Sequence, residues 1–163
     1  MRRFATPSHP QLPFCLFKAS LHDPDTVYAA FDNHKHGDLR PYLLKSTDRG
    51  ATWVSVAGDL PERGMVWSVA EDDVNPDLLF AGTELGVYFT VDGGLHWVEL
   101  EGGMPTIAVR DLAIQRRESD LVLASFGRGF FVLDDYSPLR TVTRELLERE
   151  SVLFPVKNAL AYV

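Results

Sequence analysis

The hydrophobic pattern along the chain is one of short strands, and it repeats. Three apolar runs, at residues 27–31, 78–82 and 121–126, each follow a turn built on Pro/Asp or Ser/Asp: Asp23-Pro24-Asp25-Thr26, Asn75-Pro76-Asp77 and Glu118-Ser119-Asp120. Each turn is preceded by another strand-like run, at residues 14–20, 65–70 and 107–114. After each apolar run comes a polar or glycine-containing connection. A further run follows at 42–46, 87–91 and 130–133, rich in the aromatic and β-branched residues that suit a pleated, half-buried surface. Helical periodicity is confined to residues 143–150, where Arg144, Glu145, Glu148 and Arg149 are spaced for i,i+4 pairs and Leu146-Leu147 supply an apolar side. Residues 151–156 then read as a strand, the missing outer strand of the third repeat.

Two of the repeats end in closely similar octets, Ser46-Thr47-Asp48-Arg49-Gly50-Ala51-Thr52-Trp53 and Thr90-Val91-Asp92-Gly93-Gly94-Leu95-His96-Trp97. Their aspartates lie about 44 residues apart, and a similar step reaches Asp135, where the glycine and tryptophan are lost. A period in the low forties with four short strands per unit is that of a propeller blade, a four-stranded twisted antiparallel sheet packed face to face on its neighbours. The expected architecture is therefore all-β. Residues 1–13 form an N-terminal extension, 14–60, 61–104 and 105–141 form about three blades of a partial propeller, and 142–163 carry a short helix and a closing strand. The octets form the hairpins between the third and fourth strands.

Each fixed position of the octet has a physical role in such a hairpin. Asp48 and Asp92 can accept hydrogen bonds from turn amides, and Gly50 and Gly94 can take positive φ without a Cβ clash. Trp53 and Trp97 can bury a large ring between sheets. Ser46 to Trp53 matches the Asp-box pattern S/T-x-D-x-G-x-T-W at every defined position, including Ser46 and Thr52. The copy beginning at Thr90 departs from it only at His96. The chain thus resembles Asp-box (bacterial neuraminidase repeat) propellers, and more closely those of the sortilin-like repeat type. The segments that carry the likeness include Thr26-Val27-Tyr28-Ala29-Ala30-Phe31-Asp32, Leu79-Phe80-Ala81-Gly82-Thr83-Glu84-Leu85-Gly86-Val87-Tyr88 and Gly127-Arg128-Gly129-Phe130-Phe131-Val132-Leu133-Asp134-Asp135. The resemblance implies blades within longer, mostly exported chains. In relatives with known roles the repeat builds sialidases, xyloglucan-cleaving glycosidases and sorting receptors.

Because consecutive strands alternate direction, the connections between second and third strands share one face with the starts of the first strands. That face is expected to gather Glu84, Arg110, Asp111 and Arg128 near the axis, with His34 and His36 on its rim. As a sugar site, Arg110, Arg128, His34 and His36 would bind and Asp111 and Glu84 would be the catalytic candidates, since glycosidases need carboxylates at a defined separation. As structure, the same residues form ion pairs between blades. His34-Lys35-His36 before Asp38 has ligand types suited to a metal but the setting of a solvated loop, so no metal site is assigned. No cofactor is expected.

Composition narrows the partners. The formal charge is −7 and the sixteen basic residues are scattered, so the field repels nucleic acid. Cys15, the single cysteine, can form no internal disulfide. The N-terminus lacks the apolar core of a signal peptide, and no stretch is apolar enough to span a bilayer, which leaves the compartment open. Three blades leave open edges, so the expected partner is a second copy that closes the ring, or further blades, with carbohydrate or peptide as ligand. The sequence points first to a non-catalytic binding or scaffold segment. The alternative is part of a glycoside hydrolase, sialidase-like or xyloglucanase-like, completed by other blades or a partner subunit.

Overall fold

The computed structural model describes residues 13–155, which form three antiparallel sheets in chain order. The first contains β1 (Phe14–Ala19), β2 (Val27–Asn33), β3 (Asp38–Ser46) and β4 (Val54–Ser55). The second contains β5 (Val66–Glu71), β6 (Leu79–Thr83), β7 (Val87–Thr90) and β8 (Val98–Glu99), and the third β9 (Val109–Gln115), β10 (Asp120–Ser125) and β11 (Phe130–Leu133). Spatial order follows sequence order within each sheet, and every strand pair is antiparallel.

The sheets stack as blades, and the middle one shows why its strands read as unbroken apolar runs. All five residues of β6 and all four of β7 are buried, because both faces of this sheet are covered. Toward the first blade, Val66, Val69, Leu79, Ala81, Tyr88 and Trp97 pack with Tyr28, Ala30 and Leu43. Toward the third, Ala70, Phe80, Val87 and Phe89 pack with Val109, Leu112, Leu121 and Leu123.

Both octets close the expected hairpins. Asp48 accepts from the Thr52 amide at 2.8 Å and hydroxyl at 2.6 Å, and the Ser46 hydroxyl accepts from the Gly50 amide at 2.7 Å. Asp92 repeats this with the His96 amide at 2.9 Å, and the His96 ring takes the place of the threonine hydroxyl at 2.7 Å. Gly50 and Gly94 have φ of 88° and 101°. The indoles differ in partner. Trp97 donates across the blade junction to the Val56 carbonyl at 3.0 Å, whereas Trp53 donates to Gly50 of its own octet at 2.9 Å and lies beside Phe17. The reason is position in the stack: a first blade precedes Trp97, and among the described residues no blade precedes Trp53.

The third blade departs from expectation. Asp135 begins no hairpin; the chain turns into a 3-10 segment at Ser137–Thr141 that leads away to the second blade. The helix expected over 143–150 is a single turn, Arg144–Leu147, too short for four-residue pairs to accumulate. Residues 151–155 form no strand, and Val156 lies outside the described residues. Among the described residues the third sheet therefore has three strands.

Two consecutive carboxylates at the end of the middle blade's inner strand fasten it to both neighbours. Glu71 accepts from the Ser20 hydroxyl at 2.8 Å, the Leu21 amide and the Tyr28 hydroxyl at 3.1 Å. Asp72 accepts from the Tyr136 hydroxyl and from Arg140, both at 2.7 Å.

Candidate functional site

The candidate site is assembled from two positions that recur in each blade. The first is a bulge. Pairing skips Cys15 in β1, Trp67 in β5 and Arg110 in β9, each one residue after the strand begins. A bulge re-aims its side chain and increases local twist, so each inner strand turns one residue out of the ladder at its loop-face end. The second is a residue within one position of the end of the second strand. The amides of Asp32, Glu84 and Phe126 donate to the carbonyls of Pro13, Met65 and Ala108 at 2.9–3.0 Å, which fixes each beside the bulge of its own blade.

Between the second and third blades these positions interlock. The Trp67 indole donates to Glu84 at 2.8 Å, and the Arg110 guanidinium lies 3.6 Å from the centre of the Trp67 ring. A nitrogen of that guanidinium stands 3.8 Å from Glu84, and Phe126 flanks it at 5.1 Å. Arg110 Nε is buried without a hydrogen-bond partner among the described residues, so the group is held mainly by stacking and charge. Phe126 itself is 68% exposed and forms the outer rim.

On the first blade, Asp32 accepts from the His34 amide at 2.8 Å and binds the His34 ring at 2.6 Å, and that ring lies 6.3 Å from the Trp67 ring. Cys15 donates to the Val66 carbonyl at 3.2 Å. Burial first, and then the Asp32 charge, push its thiol up to about 11. The result is a belt of Asp32, His34, Trp67, Glu84, Arg110 and Phe126 across three blades.

The structure brings together Glu84, Arg110 and, through Trp67, His34. It does not join Asp111, Arg128 or His36 to them. Asp111 follows the bulge, is exposed, and accepts from the amide of Leu112 at 2.9 Å. Arg128 is exposed in the connection between β10 and β11, and His36 pairs with Asn33 at 2.8 Å. Asp32 and Trp67, which the sequence places on this face, with Trp67 read as a core ring, join the candidate belt, as does Phe126, which the sequence does not single out. The equivalence of Asp32, Glu84 and Phe126 in the repeat was the available signal, but the bulges that aim Trp67 and Arg110 leave no mark in the hydrophobic pattern. Among the described residues no three His, Cys, Asp or Glu side chains cluster as a metal site, and no helix is long and apolar enough to cross a membrane.

Among solved structures the chain is similar to an ancestral GH74 enzyme, with a TM-score of 0.59, 20% identity and 78% of this chain covered. It is also similar to the GH74 xyloglucanase from Xanthomonas campestris, with a TM-score of 0.51, 17% identity and 67% covered. The fold is that of part of a β-propeller. The matched region spans 16% and 18% of the two enzymes' own chains, so most of each enzyme has no counterpart here. No family model matches the chain, and no curated protein matches it in sequence.

Proposed function

We propose that the chain is a non-catalytic binding and scaffold segment of an Asp-box propeller, and that its loop face receives carbohydrate along the rim of Phe126 and Trp67. The observation that carries this reading is the stacking of Arg110 on Trp67 beside Glu84. The carboxylates suited to catalysis are otherwise placed: Glu84 is held by an indole of its own blade and a guanidinium of the next, Asp32 is held by His34 within the first blade, and Asp111 stands apart. Glycosidic cleavage needs two carboxylates facing one bond. Sugar binding needs less, namely an exposed ring on which a pyranose can stack and fixed polar groups at its edge.

The reading is tested by titrating oligosaccharides of a glucan and a xyloglucan series into the protein while assaying a panel of chromogenic glycosides. Binding without turnover, weakened by Phe126→Ala, is the expected outcome. Turnover abolished by Glu84→Gln or Asp111→Asn would replace it with the second reading, a share in a glycoside hydrolase site completed by other blades. That reading is favoured by one observation, that the solved structures of similar fold are glycoside hydrolases.

A further inference from the structure

A cavity of about 490 Å³ opens beside the second octet, at the opposite end of β7 from Glu84. It follows from the way the third blade ends. The segment after Asp135 crosses to the second blade on the Arg140 to Asp72 contact, and residues 142–148 then contribute one wall of the cavity while the octet contributes the other. Phe89, Trp97 and Val142, all buried, make part of the lining apolar, and the volume is that of a small-molecule site.

The charge of the lining is unbalanced. Three carboxylates, Asp59, Asp92 and Glu148, share it with one guanidinium, Arg144. Asp92 is engaged by its own octet, through the Thr90 hydroxyl at 2.7 Å and the amide and ring of His96. Asp59 accepts only from the Trp97 amide, at 2.6 Å. Among the described residues the Glu148 side chain has no hydrogen bond, no cation pairs with Asp59 or Glu148, and Arg144 makes no ion pair. A cleft lined by an excess of one sign of charge concentrates the opposite sign, and the chain's formal charge of −7 adds to the effect. The carboxylates do not converge on a point, since among the described residues no three His, Cys, Asp or Glu side chains cluster as a metal site. Negative charge spread around a partly apolar volume suits an organic cation, not a metal ion that needs several oxygens at one centre.

We infer that this cavity binds an ammonium group carried on a short apolar body, with Asp59 and Glu148 as its counter-charges and Trp97 and Val142 as apolar wall. A free amine and a lysine side chain of a peptide share that chemistry. The inference is independent of what the loop face binds.

The test is isothermal titration calorimetry of the full chain with phenethylamine, 2-phenylethanol and 3-phenylpropionate, which keep the apolar body and change the charge. The amine, cationic at neutral pH, should bind saturably below about 1 mM and at least about tenfold more tightly than the alcohol, with no binding of the carboxylate. N-acetyl-lysine methylamide in the same assay separates the two sources: tighter binding than phenethylamine assigns a lysine side chain, weaker binding a free amine. Asp59→Asn keeps an acceptor for the Trp97 amide, and Glu148→Gln has no hydrogen bond or ion pair to lose. Each should weaken the amine severalfold with circular dichroism unchanged, and Arg144→Gln should strengthen it. Glu118→Gln, in the turn between β9 and β10, should leave binding unchanged, which separates the cavity from the field of the whole chain. No saturable binding, equal binding of amine and alcohol, or indifference to the Asp59, Glu148 and Arg144 variants overturns the inference. So does amine binding that appears only in Lys157→Ala, since the chain's own lysine would then be the occupant.

Discussion

Arg140 and Asp72 lie 68 residues apart in sequence and meet at 2.7 Å, the guanidinium laid against a carboxylate whose side chain has no exposed surface. The contact replaces a hairpin. In the first two blades the chain reverses through an octet and returns to its own sheet, but in the third it crosses to the blade before and is pinned there by Arg140 and Tyr136. The acceptor is already preorganised, since Asp72 also takes the amides of Val74 and Asn75 at 3.0 and 2.7 Å.

Removing one partner of such a pair leaves the other buried and uncompensated. Arg140→Ala is expected to lower unfolding stability by about 3 kcal/mol, with Arg140→Lys intermediate because it keeps the charge but loses the fork. Urea denaturation of the three proteins checks this. A loss below about 0.5 kcal/mol for the alanine variant would mean that the contact is ornamental.

Acid should unfold the protein through the same carboxylates. Burial pushes Asp72 up, but Arg140, Tyr136 and the two turn amides outweigh it and hold the carboxyl low. The Thr52 hydroxyl and amide hold Asp48 at about 2. Asp92, raised by partial burial, is brought to about 2 by the His96 amide and ring and by Thr90. A folded value below the unfolded one of about 3.9 means that the folded state binds fewer protons. The stability they supply is complete above about pH 5 and lost as pH falls toward 2. Denaturation midpoints followed across that range should fall, and should fall less steeply in Asp48→Asn/Asp92→Asn.

Gly94 and His96 separate two roles within one octet. A Cβ at Gly94 would stand 2.6 Å from the Val56 carbonyl oxygen, at a φ of 101° that L side chains rarely adopt. Gly94→Ala should therefore cost more than about 2 kcal/mol, through both backbone strain and a forced blade separation. His96→Thr restores the side chain found at Thr52 and keeps a hydrogen bond to the aspartate, so its melting temperature at pH 7 should stay within a few degrees of the parent.

Cys15 reports on the first blade junction. Its thiol, pushed up to about 11, is almost entirely protonated at pH 8, and the thiolate is the reactive form. Alkylation at pH 8 should be slower than in urea by at least about tenfold. Equal rates would mean that the β1 and β5 junction opens freely.

The architecture was legible because propeller blades are written locally. The paired turns, the alternation of apolar runs and the two octets each depend on residues close in sequence, and the structure places strands within a few residues of where the pattern puts them. The third blade's end was not legible. Residues 151–155 have a strand-like composition, but whether they pair is decided by the route of the preceding segment, and that route is fixed by Arg140 reaching Asp72.

The same division runs through the loop face. Sequence periodicity identified which connections share it and which charged residues they carry, because strand direction alternates by rule. It could not separate Arg110, which stacks on Trp67, from its neighbour Asp111, which stands apart. That choice rests on a single bulge, and a bulge arises from how two strands settle against adjacent blades. What one stretch of chain encodes is its own hairpin; which side chain is turned inward is decided when the blades pack.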